Sequence, residues 1–114
     1  DLAGSAAEDV ISVQGFTPEY QDPAVQEFVA KYQARWNSMP SDPAQAYYDG
    51  VYLLAHVIEQ VGFDKEAIRE GLTKVKDFPG VQGPLTCDEK HNFTNFSLIS
   101  QFKGGTWEII TAIR

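Results

Sequence analysis

Apolar positions along this chain change period twice, and each change marks an element boundary. Val10-Ile11-Ser12-Val13 reads as a short strand, broken by Gly15-Phe16-Thr17-Pro18. Val25, Phe28, Val29, Tyr32 and Trp36 then recur at spacings of three and four, which places them on one stripe of a helix. Asp22-Pro23 starts that helix, with Asp as cap and Pro at the first helical position, where its missing N–H leaves nothing unpaired. Asn37-Ser38-Met39-Pro40 ends it. Asp42-Pro43 repeats the start signal, with Asp42 again as cap, for a helix from about Ala44 to Val61. Its expected buried stripe is Tyr47, Val51, Leu54, Ala55 and Ile58, and Ala46, Tyr48 and Tyr52 widen the apolar face, so burial on more than one side is expected. Gly62 suits the position after the last turn. Asp64 caps a third helix, with Ile68, Leu72 and Val75 facing inward.

After Pro79-Gly80 the period falls to two. Ser97 to Lys103 and Thr106 to Ile110 are expected strands joined by Gly104-Gly105, a strong hairpin signal. The order is one strand, three helices and then short strands, an α/β or α+β pattern without internal repeats.

Composition narrows the function more than the fold. An apolar fraction of 43% over 114 residues is that of a folded chain the size of one small domain or a piece of a larger one. The net charge of −7 opposes a phosphate backbone and so argues against nucleic acid as a partner. No apolar run approaches the roughly 20 residues of a membrane-spanning helix. Asp1-Leu2-Ala3-Gly4 has neither the basic start nor the apolar core of a signal peptide, and reads as if cut from within a longer sequence.

Candidate chemistry is sparse. Cys87, Asp88 and His91 could be offered as metal ligands, but zinc sites pair their ligands and draw a second pair from elsewhere, and the other histidine, His56, lies within the second helix. Cys87 reads better as a small inward-facing strand residue, and no motif supplies the orienting group or oxyanion hole that a Cys–His nucleophile needs. Asn92-Phe93-Thr94 and Asn95-Phe96-Ser97 match the N-glycosylation triplet, a common match with little meaning alone. Tyr47, Tyr48 and Tyr52 could line a pocket, although their period favours packing. No spaced pair of carboxylates suggests acid–base catalysis, so an enzyme is not expected, and no cofactor is.

Five segments in order carry a resemblance: DPAVQEFVAKYQARW, PSDPAQAYYDGVYLLAHVIEQVG, KEAIREGL, FPGVQGPLTCDEKHN and FSLISQFKGGTWEII. With Tyr48-Asp49-Gly50 inside the long helix and the Gly83-Pro84-Leu85-Thr86-x-Asp88 block, they resemble the C-terminal portion of type I periplasmic solute-binding proteins of ABC transporters, in the branch typified by the leucine/isoleucine/valine-binding protein. The resemblance covers nearly the whole chain. It implies an α/β fold, here a partial type I periplasmic-binding-protein fold, with residues 1–114 as a C-terminal fragment of a two-lobe ligand-binding domain. The Gly83-to-Asn92 block is then a structural strand and turn, with Cys87 where an aromatic is common. Asn92 stands near the usual turn glycine and is expected to take the left-handed conformation.

In such proteins two lobes close on a small solute. The resemblance implies an extracellular solute-binding subunit of an ABC importer, for an amino acid or similar small organic acid, with a permease as partner. The alternative it leaves is a ligand-sensing domain of a receptor or regulator. The implied location is periplasmic or extracellular, membrane-tethered as a lipoprotein in a Gram-positive cell. The implied ligand-binding residues are Phe16 near a hinge crossing and Asp42, Pro43, Gln45 and Tyr47 at the start of the second helix. Family members often place an aromatic near Pro43 to pack on the ligand. Here Asp42, Ala44 and Gln45 flank it, which argues against a branched-chain side-chain pocket. As a fragment, the chain is expected to expose apolar surface and to self-associate.

Overall fold

Local capping chemistry sets the helix boundaries. A computed structural model of the chain describes residues 4–94 and 97–113. Helix α1 (Pro23–Trp36) begins where Asp22 accepts a hydrogen bond from the Ala24 amide at 2.8 Å, with Pro23 in the first turn. It ends at Asn37, whose left-handed backbone (φ 50°) lets its N–H reach the Gln33 carbonyl. Helix α2 (Asp42–Val61) ends at Gly62, with φ 81° and its N–H on the Ile58 carbonyl at 2.8 Å. Helix α3 (Lys65–Thr73) begins where Asp64 accepts from the Ala67 amide at 2.8 Å. The strands are β1 (Ile11–Gln14), β2 (Phe78–Gly80), β3 (Gly83–Cys87), β4 (Phe93–Thr94), β5 (Ser97–Lys103) and β6 (Thr106–Ile113).

The described residues form two units, divided between Asp42 and Pro43 and again after β4. The first contains α1 and an antiparallel sheet in the order β1-β5-β6. Gly104 and Gly105, both at positive φ, turn β5 into β6 as the two glycines predict, and β6 runs on to Ile113 through a bulge opposite Ile99 and Ser100. Phe16 meets Phe28 edge to face, with ring centroids 5.8 Å apart, and Val25, Val29 and Leu98 are also buried. The α1 stripe is inward only over its first turns. Tyr32 is half-buried and Trp36 is exposed beneath the Arg35 guanidinium, 5.4 Å from its ring centroid.

The second unit joins α2 and α3 to the β2-β3-β4 antiparallel sheet. Leu53 and Val57 of α2 bury against Val75, with Ile68, Leu72 and Phe78 packed around them. Gly71 allows the helices to meet closely: a Cβ there would stand 2.6 Å from Val57 Cγ1. Cys87 pairs with Phe93 across β3–β4, and its N–H reaches the Val75 carbonyl at 3.0 Å.

Two expectations are corrected. The buried stripe of α2 is Gln45, Asp49, Leu53 and Val57, whereas Tyr47, Val51, Leu54 and Ala55 are exposed and Ile58 is half-buried. This helix is apolar on two faces, and α3 and β2 cover only one of them. In the turn after β3 the left-handed residue is His91 (φ 64°), one position before Asn92. Asp88 fixes that geometry by accepting from the Lys90 and Asn92 amides, each at 2.8 Å.

Candidate functional site

The segment singled out by sequence centres on the first turns of α2. Pro40 is buried just before it, and Asp42 is the first helical residue, two positions earlier than expected. Asp42 is therefore part of the helix and not a cap preceding it. Its carboxylate lies against Gly15: a Cβ built there would be 3.2 Å from each oxygen. Any side chain at position 15 would crowd a charged group, so glycine permits the approach. Phe16, the next residue, turns into the apolar interior of the first unit and is 4% exposed. The structure thus brings Asp42 beside the residue preceding Phe16, while the Phe16 ring packs on Phe28.

One turn further on, Gln45 faces inward and donates to the Asp49 carboxylate, which is also buried. Asp49 in turn accepts the Val81 amide, at 3.1 Å to each oxygen. Val81 belongs to the two-residue turn between β2 and β3, so a side chain of α2 ties down that hairpin tip. Gly80 is required by the closeness of this contact, since a Cβ there would stand 3.0 Å from Asp49 Oδ2 and 2.9 Å from the Gly83 carbonyl. Burial raises the Asp49 carboxyl above its ordinary range, and the hydrogen bonds from Val81 and Gln45 oppose that rise only in part. Gln82, which follows Val81 in the turn, is fully buried, and neither end of its amide has a partner among the described residues.

Pro43 and Tyr47 are exposed on the same helix, and Tyr47 is 78% exposed. Two of the five candidates, Phe16 and Gln45, are therefore turned inward, and three present surface. Asp49 was not among the candidates, although its signal was available: from Pro43 to Ile58 it is the single Asp, Glu, Lys or Arg. A lone carboxylate in so apolar a run must either face water or find buried donors, and here it finds donors.

The charged turn carries different chemistry. The Asn92 amide, with the Lys90 amide behind it, holds Asp88 below the usual carboxylate range. Its oxygens serve the turn, and Cys87 Sγ leans on the Asp88 carbonyl at 3.7 Å. His56 is an exposed α2 residue whose ring is tilted against that of Phe78, with centroids 5.3 Å apart and Gln60 Nε2 2.9 Å from its own Nε2. Among the described residues no group of three or more His, Cys, Asp or Glu could hold a metal ion. Asn92 of the first glycosylation triplet is exposed, and the second triplet, at Asn95, begins outside the described residues.

The order of elements recurs on a known scaffold. The periplasmic binding protein family model matches residues 1–106, and the chain belongs to that family. Among solved structures, it is similar to a leucine-binding protein, LivK, from Thermotoga maritima, at 25% identity and a TM-score of 0.85 over 98% of this chain. A substrate-binding protein from Desulfitobacterium hafniense in complex with Leu gives 26% identity and 0.82 over 91%. The LivJ protein of Streptococcus pneumoniae in complex with isoleucine gives 27% identity and 0.78 over 93%. The chain spans only about a third of each, 33%, 32% and 30% respectively. A search of curated proteins found no match. The partial type I periplasmic-binding-protein fold expected from the sequence is the fold observed.

Proposed function

We propose that this chain is part of the solute-binding subunit of an ABC importer, and that its solute is an amino acid or similar small organic acid. The observation that carries this reading is the family match over residues 1–106, supported by structural similarity to proteins bound to leucine and isoleucine. Binding without chemistry fits the residues described: the most heavily buried carboxylate, Asp49, holds a hairpin. A subunit of this kind works at the periplasmic or outer face of the membrane, as a lipoprotein in a Gram-positive cell, and delivers its solute to a permease.

In this reading the chain supplies part of one wall of the site, at the first turns of α2. Asp42, Pro43 and Tyr47 offer the contact surface, and Gln45 faces inward to Asp49. The helix start favours anions through its free N–H groups, but Pro43 removes one donor and the Asp42 carboxylate repels a second negative charge. The segment is therefore suited to a solute's side chain or ammonium, and its carboxylate must be gripped elsewhere in the longer protein.

Calorimetry tests the reading directly. The 114-residue chain is expected to bind no amino acid more tightly than about millimolar, roughly 4 kcal/mol, and the intact parent to bind its solute at about micromolar or better, roughly 8 kcal/mol. A parent that binds no amino acid or small organic acid refutes the solute assignment. Micromolar binding by the chain alone refutes the partial-wall argument while leaving the solute class intact.

A further inference from the structure

The first turns of α2 are held differently from the rest of the helix. Its buried residues are Gln45, Asp49, Leu53 and Val57. Leu53 and Val57 belong to the apolar cluster with Val75, Ile68, Leu72 and Phe78. Gln45 and Asp49 are polar, and their partners are each other and the Val81 amide in the β2–β3 turn. From Asp42 to Tyr52 the helix buries no apolar residue at all. Apolar contact is non-directional, whereas a hydrogen bond fixes distance and angle. The exposed positions offered to a solute, Pro43 and Tyr47, stand on either side of Gln45 in this polar-anchored stretch.

We infer that Asp49 is a positioning residue for the solute-contacting turns of α2: through Gln45 and the Val81 amide it fixes the orientation of Pro43 and Tyr47 against the β2–β3 hairpin. The inference rests on the solute-binding reading above and adds to it a group that does not touch the solute. Binding groups must be held within about 0.5 Å of their productive geometry by hydrogen-bonded and packed supports. The hairpin tip is a firm anchor, since Val81 and Gln82 are buried. Gly80 closes the gap between hairpin and helix, because a Cβ there would stand 3.0 Å from Asp49 Oδ2. A carboxylate suits the task because its two oxygens accept from both donors at once. An asparagine there keeps an oxygen for Val81 and offers its amino group to Gln45 once the Gln45 amide turns over.

Amide hydrogen exchange on the 114-residue chain, with Asp49→Ala, Asp49→Asn and Leu53→Ala as variants, reads the positioning without any solute. Asp49→Ala is expected to speed exchange at Ala46, Tyr47 and Tyr48 by at least about tenfold relative to Val57, Ile58 and Glu59. Alanine is the better helix former, so helix propensity cannot produce that loosening. Asp49→Asn is expected to stay within about threefold of wild type, and Leu53→Ala to speed the later amides at least as much as the earlier ones.

Calorimetric titration of the intact parent with leucine, isoleucine and the other common amino acids then reads the consequence, at a temperature where circular dichroism shows every variant folded. Asp49→Ala is expected to raise Kd by at least about tenfold, and Asp49→Asn and Leu53→Ala to stay within about threefold of wild type. Should Asp49→Ala not fold, Gln45→Ala cuts the same link at its other end and carries the same expectations. Unchanged or uniformly faster exchange along α2 in Asp49→Ala overturns the inference. So does unchanged affinity in that variant, or an equal loss in Leu53→Ala, which would show affinity following stability. A parent that binds none of these amino acids refutes the solute reading instead, and the exchange contrast then decides the role of Asp49 by itself.

Discussion

Leu53 and Leu54 are neighbours in sequence and opposites in circumstance. Leu53 is buried among Val57, Val75 and the side chains of α3 and β2, whereas Leu54 faces outward beside Tyr47 and Val51. The exposed face of α2 is at least as apolar as the covered one, so hydrophobicity alone does not decide which is covered. The covered face differs in carrying polar groups with defined partners at its start: Gln45 donates to Asp49, and Asp49 accepts from Val81. Further along, Gly71 admits α3 to within contact of Val57. A face becomes a core when specific neighbours fit it, and only one face of α2 has such neighbours within these residues.

The largest effect expected from this contrast comes from shortening each leucine in turn. Leu53→Ala should cost about 2–4 kcal/mol of unfolding free energy, through lost burial and the cavity left behind. Leu54→Ala, measured by chemical denaturation at concentrations where the chain is monomeric, should change stability by less than about 0.5 kcal/mol. Equal losses would mean that both faces are packed.

A somewhat smaller effect is expected at the polar end of the covered face. Asp49→Ala removes the acceptor for the Val81 amide and leaves that N–H buried, at a cost of about 1–3 kcal/mol. Asp49→Asn keeps an acceptor oxygen and should lose clearly less, even though the Gln45 amide must turn to serve it. Amide exchange at Val81 reports the same event locally and should accelerate in the alanine variant and much less in the asparagine one.

The smallest effect is in pH dependence, and its sign is fixed by the raised Asp49 carboxyl. A carboxyl with a higher pKa folded than unfolded binds its proton more readily in the native state. Native stability contributed by that group therefore falls as pH rises from the ordinary carboxylate range through the raised value, and levels off above it. Wild type should accordingly lose stability relative to Asp49→Asn as pH is raised across that interval. Asp88, held below the usual range, works in the opposite sense, but it is present in both proteins and cancels in the difference. A wild-type advantage that grows with pH would show that the hydrogen bonds to Asp49 outweigh its burial.

How far the sequence could be read follows from the range of the forces involved. The helix boundaries at Asp22, Gly62 and Asp64 were legible because a cap bonds within its own turn, and the Gly104-Gly105 hairpin because its backbone conformation is a local preference. At α2 the same signal placed the start two residues late: Asp42 is itself helical, and its carboxylate lies against Gly15, far away in sequence. In the turn after β3, the hydrogen bonds to Asp88 assigned the left-handed position to His91, where residue preference had favoured Asn92.

Of the candidate site, sequence supplied the segment but not the orientation of its side chains. Asp42, Pro43 and Tyr47 present surface, while Phe16 and Gln45 face inward, because ring packing on Phe28 and the reach to Asp49 are decided by residues far along the chain. By itself the sequence determined that α2 is a long helix, apolar on two sides, with one carboxylate in its middle. Only the tertiary structure decided which side is core, because periodicity records that a face is apolar, while burial depends on whether Val75, Phe78 and the glycine-lined flank of α3 arrive to cover it.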